Sequence, residues 1–273
     1  MRDGVDLRAR VAKSVGEPPG QARLAVPSRG RLRDDCLALL SRAGYATGML
    51  HGAGSIASMD GLELIEMRPR DAAATLAAGQ LDAAFLATDL VAEHGLEDLP
   101  ALPLGFSRSD LVVASRDDDG RRDAGDLHGA VVATHMPRLT ERFFADKGVE
   151  VTVVAMGGSL EGVCAAGLAD AIVDLRETGT SLATNRLRVL EVIEQCEALF
   201  VRRDNPALDD LALRLDAALA ARRHRYVMLH APRERLEQLR RVFPGLASPT
   251  VLPLAGRDVL VAVHFVVEAD QLW

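Results

Sequence analysis

In the stretch DAIVDLRETGTSLATN, Asp170 to Asn185, two carboxylates and a hydroxyl-rich turn follow one another in an order that suits a phosphorylated sugar. Asp170 and Asp174 stand four residues apart in a β-branched run, which puts both on one face of a strand with Asp174 at its tip. A carboxylate there can accept hydrogen bonds from a ribose diol. Just downstream, Thr178, Gly179, Thr180 and Ser181 offer hydroxyls and approachable backbone N–H groups at a helix start, a geometry that favours phosphate. The same residue types also serve as plain helix caps and turn formers, and local chemistry alone leaves both uses open.

Elements that could position such a turn are legible on either side of it. RLAV leads through PSRG into a helix with Leu32, Cys36, Leu39 and Leu40 on one face. LELIEM gives way to RPRDAAATLAAG, where Pro69 suits a first helical turn and Gly79 a stop, and LDAAFLA is the next strand. A second group runs from DLVVAS through AVVATHM, EVTVVAM and DAIVDL, with helices at RLTERFFADKG and SLEGVCAAGLA. The charged RDDDGRRDAGD between Arg116 and Asp126 reads as an exposed loop. Beyond residue 200, YVMLHA, RERLEQLRRVF, TVLPLA and DVLVAVHFVV alternate as a small β-α-β-β module.

The expected architecture is therefore α/β: two lobes with a cleft, where open sheets place ligands at the carboxyl ends of their strands, plus a small C-terminal α+β module. The boundaries drawn are a polar, mobile leader over 1–21, lobe I over 22–110 and 203–222, lobe II over 111–202, and the module over 223–273. A formal charge of −7 gives the 273-residue chain no general attraction for nucleic acid or anionic lipid, so neither is an expected partner and phosphate must be held locally. Cys36, Cys164 and Cys196 lie apart among apolar neighbours, as small core residues in a reducing compartment, and the longest apolar run, Val259 to Val267, is too short to span a bilayer. The expected location is cytoplasmic.

Four blocks, LAVPSRGRLRDDCLALLSRAGY, MRPRDAAATLAAGQLDAAFLATDLV, LGFSRSDLVVA and GGSLEGVCAAGLADAIVDLRETGTSLATNRL, together resemble ATP phosphoribosyltransferase from Arg23 onward. The C-terminal part resembles the ferredoxin-like regulatory domain of the family's long form. The resemblance implies two periplasmic-binding-protein-like lobes and condensation of ATP with phosphoribosyl pyrophosphate (PRPP), the first step of histidine biosynthesis. Adenine N1 attacks the anomeric carbon, and pyrophosphate leaves with the Mg²⁺ that PRPP carries. Carried over by position, Glu161, Asp174, Glu177, Thr178, Gly179, Thr180, Ser181 and Leu182 hold the phosphoribosyl group. Arg29 and Arg31 face the nucleotide or pyrophosphate, Asp89 lines the acceptor side, and Arg29 and Asp174 are the catalytic pair. No protein-bound metal is implied. Ser248 and Thr250 fall where the family senses histidine.

Several positions depart from the family pattern. Ala46 to Gly61 contains no Arg or Lys where basic residues usually reach the nucleotide, and FLATDL replaces a glycine-containing turn while keeping Asp89. His135 stands in place of an aromatic residue and reads as cleft wall before catalytic base. Arg176 replaces an apolar residue, as a phosphate contact or a solvated side chain. Arg68, Arg70 and Asp71 read equally as caps or ligand contacts. The remodelled acceptor side leaves two alternatives: a diverged relative using another nitrogen acceptor, or a non-catalytic two-lobed sensor. The chain stops at EADQLW, where a further helix and strand are expected in the long form, so the regulatory domain is expected to be curtailed. The assembly expected is a homo-oligomer, a dimer rather than a hexamer, without histidine control.

Overall fold

Runs of alanine, valine and leucine bounded by glycine or proline form strands buried on both faces, which need no polar alternation. In β1 (Ala22–Pro27) every side chain but Arg23 is buried, and in β4 (Ala83–Ala87) all but the last. The computed structural model describes residues 21–51, 56–242 and 249–269, so the leader expected over 1–21 lies, but for Gln21, outside the described residues.

The first sheet is ordered β2 (Ile56–Met59), β3 (Leu62–Met67), β1, β4, β11 (Ala198–Arg202), β5 (Ala101–Pro103), with β3, β1 and β4 parallel. α1 (Arg31–Arg42), α2 (Pro69–Ala77) and α3 (Thr88–His94) follow those three strands. Pro69 lies in the first turn of α2, where its missing N–H costs nothing, and Gly79 just past the end takes φ +74°. The second sheet is ordered β10 (Leu187–Cys196), β6 (Ser109–Arg116), β9 (Ala171–Arg176), β7 (Val131–Thr134), β8 (Thr152–Ala155), and β9, β7 and β8 are parallel. α4 (Pro137–Asp146), α5 (Leu160–Ala165) and α6 (Thr180–Thr184) follow β7, β8 and β9.

Two boundaries differ from those read in the sequence. Strand pairing returns Ala198–Arg202 to the first sheet: β11 lies antiparallel to β4 with Phe200 opposite Phe85, their rings 5.4 Å apart. The chain therefore leaves lobe II at Glu197, not at 202. α7 (Asp209–Arg223), placed with lobe I by sequence, runs without a loop into β12 (His224–Pro232), and the His224 ring bonds the Ala220 carbonyl across the junction. It belongs accordingly to a second compact unit, Ala38–Tyr45 with the described residues from Asp210 onward; the remainder up to Asp209 forms the first.

In that second unit β12, β14 (Arg257–Glu268) and β13 (Thr250–Leu254) form an antiparallel sheet in that order, with α8 (Leu236–Val242) between β12 and β13. The β-α-β-β order expected for the module is present. Val261, Val263, Phe265 and Val267 alternate inward and pack with Leu236 and Leu239 of α8.

Within the first unit, two buried polar groups hold the turn after β7. Thr134 Oγ1 donates to the Val173 carbonyl (2.9 Å) and accepts from the Met136 N–H (2.9 Å) and the Thr140 hydroxyl (3.1 Å). The carboxylate of Glu93, in α3 of the first lobe, accepts the Arg138 and Leu139 N–H groups at 3.1 and 2.9 Å, capping α4 of the second. Thr134→Val keeps the shape but strands two buried donors, which costs about 1–3 kcal/mol. Urea unfolding should show a lower midpoint with an unchanged slope; an unmoved midpoint would refute the role of the hydroxyl.

Candidate active site

Parallel strands deliver their carboxyl ends to one place, and here two sets face each other. Ser28 to Arg31 follows β1, Arg68 to Arg70 follows β3 and Thr88–Asp89 follows β4, while His135, Ser159 to Glu161 and Glu177 to Ser181 follow β7, β8 and β9. Between them lies a cavity of about 260 Å³, lined from the first lobe by Leu32, Arg70 and Asp89 and from the second by His135, Asp174 and Glu177. This is the position at which open α/β sheets bind ligands.

Asp174 is half-buried and its Oδ1 accepts the Leu175 N–H at 2.8 Å. Burial pushes its carboxyl pKa up; the Leu175 amide and His135 oppose the shift, and Glu161 adds to it. Asp174 does not lie at the strand tip as its sequence suggests, because β9 continues to Arg176. Arg176 stands directly across from Asp110 of β6 and binds it at 2.5 Å, which prolongs the pairing. Neither use read in the sequence for Arg176 is the one observed: its guanidinium ties two strands together.

Asp170, at the other end of β9, is structural. Its carboxylate accepts the Val131 N–H and the Arg121 guanidinium, each at 2.9 Å. The Val131 amide first, and Arg121 next, hold its carboxyl below the usual range against the opposing effect of burial.

The loop after β9 is closed by its own hydroxyls. Thr178 Oγ1 and Thr180 Oγ1 lie 3.1 Å apart, and the Thr184 hydroxyl donates to the Thr180 carbonyl at 2.9 Å. Gly179 takes φ +80°, which a side chain would strain. The Ser181 hydroxyl donates to Glu161, whose other carboxylate oxygen accepts from Ser159 at 3.3 Å. The Ser181 bond is the main cause that lowers the Glu161 pKa. Leu182 points the other way: its side chain is in the core with Leu160 and Leu187, leaving only its main chain to face a ligand.

On the first lobe, Gly30 turns the chain at φ +82° between Arg29 and Arg31, both exposed. Arg31 reaches across the cleft to Glu177 at 3.5 Å, with both side chains more than half exposed. The FLATDL segment needs no glycine: Ala87 has φ −112°, and Thr88 exchanges hydrogen bonds with Glu197, its N–H donating to the Glu197 carbonyl at 3.1 Å and its hydroxyl accepting the Glu197 N–H at 3.3 Å. Asp89 is fully buried. His135 Nδ1 lies 2.6 Å from the Met156 carbonyl, which can only accept, so Nδ1 carries a proton and donates it there. Arg68 makes no side-chain cap at α2, whereas Arg70 lines the cavity.

Glu93 and Thr134, which fix the cavity walls, were not singled out by the sequence; a buried helix with one glutamate before a proline-started helix was the available signal. Of the effector positions, Ser248 lies outside the described residues and Thr250 is exposed at the start of β13.

Comparison with known proteins is consistent along the chain. Residues 68–220 match the family model for ATP phosphoribosyltransferase, and residues 221–273 the model for the C-terminal domain of the same family. A protein from Gemmatimonas aurantiaca called ATP phosphoribosyltransferase is 38% identical over 92% of this chain and 91% of its own length. One of the same name from Methanopyrus kandleri is 33% identical, over 91% and 90%. Among solved structures, the ATP phosphoribosyl transferase (HisG:HisZ) complex from Thermotoga maritima aligns with a TM-score of 0.61 at 25% identity, covering 73% of this chain and 99% of that one.

Asp170, just before β9, should reveal its role through pH. A depressed carboxyl stabilises the fold fully above its unfolded value of about 3.9, and that contribution is lost as pH falls through the lower folded value. Asp170→Asn should therefore be less stable than wild type near neutrality, with the gap closing in acid. A gap independent of pH would show that the carboxylate's charge is not what Val131 and Arg121 recognise.

Proposed function

The chain belongs to the ATP phosphoribosyltransferase family, transferases of the first step of histidine biosynthesis, and from that premise we propose how its cleft condenses ATP with PRPP. The observation that carries the proposal is the facing of the two strand-end sets across one cavity. A diol-accepting carboxylate and a hydroxyl-rich turn stand on one wall, and arginines on the other.

In this reading Asp174 accepts the ribose hydroxyls. Its raised pKa reflects a carboxylate held partly out of water, where a bonded diol replaces lost hydration. Thr178 to Ser181, with the main chain of Leu182, cradle the 5-phosphate, and Glu161 orients the turn through Ser181. Magnesium arrives as part of the substrate, bound to the pyrophosphate of PRPP. Displacement at the anomeric carbon depends on positioning and on charge neutralisation of the leaving group, so no protein nucleophile is required.

Arg29 and Arg31 meet the pyrophosphate or the nucleotide phosphates. The Arg31–Glu177 pair is exposed and so worth at most about 1 kcal/mol, which lets an incoming polyphosphate replace Glu177 at little cost. With no Arg or Lys between Ala46 and Gly61, Arg70 is the further cation at the cavity for the ATP phosphates. Each missing charge-assisted contact costs roughly 1.5–3 kcal/mol, so ATP binds weakly on its own.

The compartment we assign is the cytoplasm, where a reducing environment keeps the buried Cys36, Cys164 and Cys196 as free thiols. No helix among the described residues is long and apolar enough to cross a membrane. We expect a homo-oligomer, a dimer before a hexamer; the exposed side chains of Tyr226, Met228 and Leu252 on one face of the C-terminal sheet support association.

Two variants test this assignment. Asp174→Ala combined with Thr180→Ala should abolish PRPP binding in calorimetry while leaving the circular dichroism spectrum unchanged; normal PRPP binding would sink the site. Arg31→Ala should lower kcat/KM for ATP by roughly 10–100-fold, the loss of one charge-assisted contact, without altering the unfolding midpoint. Release of pyrophosphate from PRPP and ATP is the readout.

A further inference from the structure

His135 follows β7, is half-buried and lines the cavity with Asp174. Its Nδ1–H donates to the Met156 carbonyl at 2.6 Å, which fixes the ring, and among the described residues Nε2 makes no hydrogen bond. The surroundings of the ring are acidic. Burial raises the Asp174 carboxyl and the charge of the His135 ring opposes that rise; the Glu161 carboxyl is lowered chiefly by the Ser181 hydroxyl and in smaller part by the same ring. The imidazole is thus within electrostatic reach of carboxylates on two elements, β9 and α5. Glu177 and Asp89 also line the cavity, and Arg70, from the first lobe, is the one arginine or lysine among its described lining residues. On the second lobe Arg176 is already engaged by Asp110. A phosphorylated sugar brought to this wall therefore meets like charge from Asp174, Glu161 and Glu177. The Mg²⁺ that PRPP carries neutralises its pyrophosphate, and the 5-phosphate has no such companion.

We propose that the His135 imidazole takes up a second proton as PRPP binds and, as an imidazolium, donates its Nε2–H to the 5-phosphate. This rests on PRPP occupying the cavity as assigned above. An imidazole gains or loses its charge between about pH 5 and 8, and an anion placed against it favours the charged form. The proton comes from solvent, so PRPP and the proton each raise the affinity for the other by the same factor. Glu161 links the ring to the phosphate-holding turn, since its carboxylate is bound by Ser181. His135 stands where the family pattern has an aromatic residue, so this proton linkage is a feature of the present sequence.

Calorimetry of PRPP with Mg²⁺ in buffers of different ionisation enthalpy reads proton uptake directly, at about pH 7.5, where the phosphate is already a dianion. Wild type should take up a fraction of a proton for each PRPP bound. Its affinity should fall as pH rises from about 7 to 9, by up to about tenfold per pH unit. His135→Asn keeps an amide donor for Met156 but has no Nε2. It should bind PRPP roughly 10–100-fold more weakly near neutrality, the loss of one charge-assisted contact, without proton uptake. His135→Arg, a cation that does not titrate in this range, should bind more tightly than His135→Asn and without pH dependence. Ribose 5-phosphate should show the uptake and magnesium pyrophosphate should not. A wild type that binds PRPP without taking up protons, an His135→Asn variant that keeps the uptake, or uptake with magnesium pyrophosphate alone overturns the assignment. A wild type that binds no PRPP overturns the reading of the cavity first, and this assignment with it.

Discussion

Glu93 sits on the first lobe with 6% of its surface exposed and spends its carboxylate on two amides that begin a helix of the second. A buried acceptor facing buried donors is costly to leave unpaired, so these bonds tie the strand ends of the two lobes together. The Thr88–Glu197 bonds pin the neighbouring crossover in the same region. Between these two fixtures lies Asp89, and the same anchoring puts the charge of Glu93 close to it. The helix that holds the walls thus carries two buried carboxylates one turn apart, and the charge of each raises the cost of the other's.

Arginines that look alike in PSRGRLR have three different uses. Arg33 is bound to Glu66 at 2.5 Å with both side chains mostly buried, and also donates to the Leu50 carbonyl, so it braces the first sheet. Arg31 has one loose, solvated partner on the facing lobe. Arg29 has no ion pair among the described residues. The degree of prior engagement, more than position along the helix, sorts structural cations from those available to a ligand.

Local pattern carried most of the fold. Apolar runs such as DAAFLA and a helix bracketed by Pro69 and Gly79 fold as they read, because burial and φ restriction act on neighbours in sequence. Membership of β11 in the first sheet was not legible, since its pairing with β4 joins segments separated by the whole second sheet. At the site, the turn after β9 could be read from its residue types, but the roles of its aspartates could not. Asp170 and Asp174 are alike in sequence and differ by a partner, Arg121, that lies in a charged stretch read as solvated. Leu182 turned inward for a similar reason: an apolar side chain in a hydroxyl-rich loop is claimed by the nearest core.

The return of the chain to the first sheet has a consequence for how the protein is made. Among the described residues β5 pairs with β11 and with no other strand, and β11 is their last strand in the first unit to leave the ribosome. The second sheet, contiguous in sequence from β6 to β10, has all its strands before β11 exists. During synthesis the earlier half of the gene product must wait, with the outer edge of β4 unpaired, until the later half has emerged. Order of translation and order of completion are thus reversed, and the nascent chain's vulnerable surface is the edge of a strand whose final position is at the centre of the sheet.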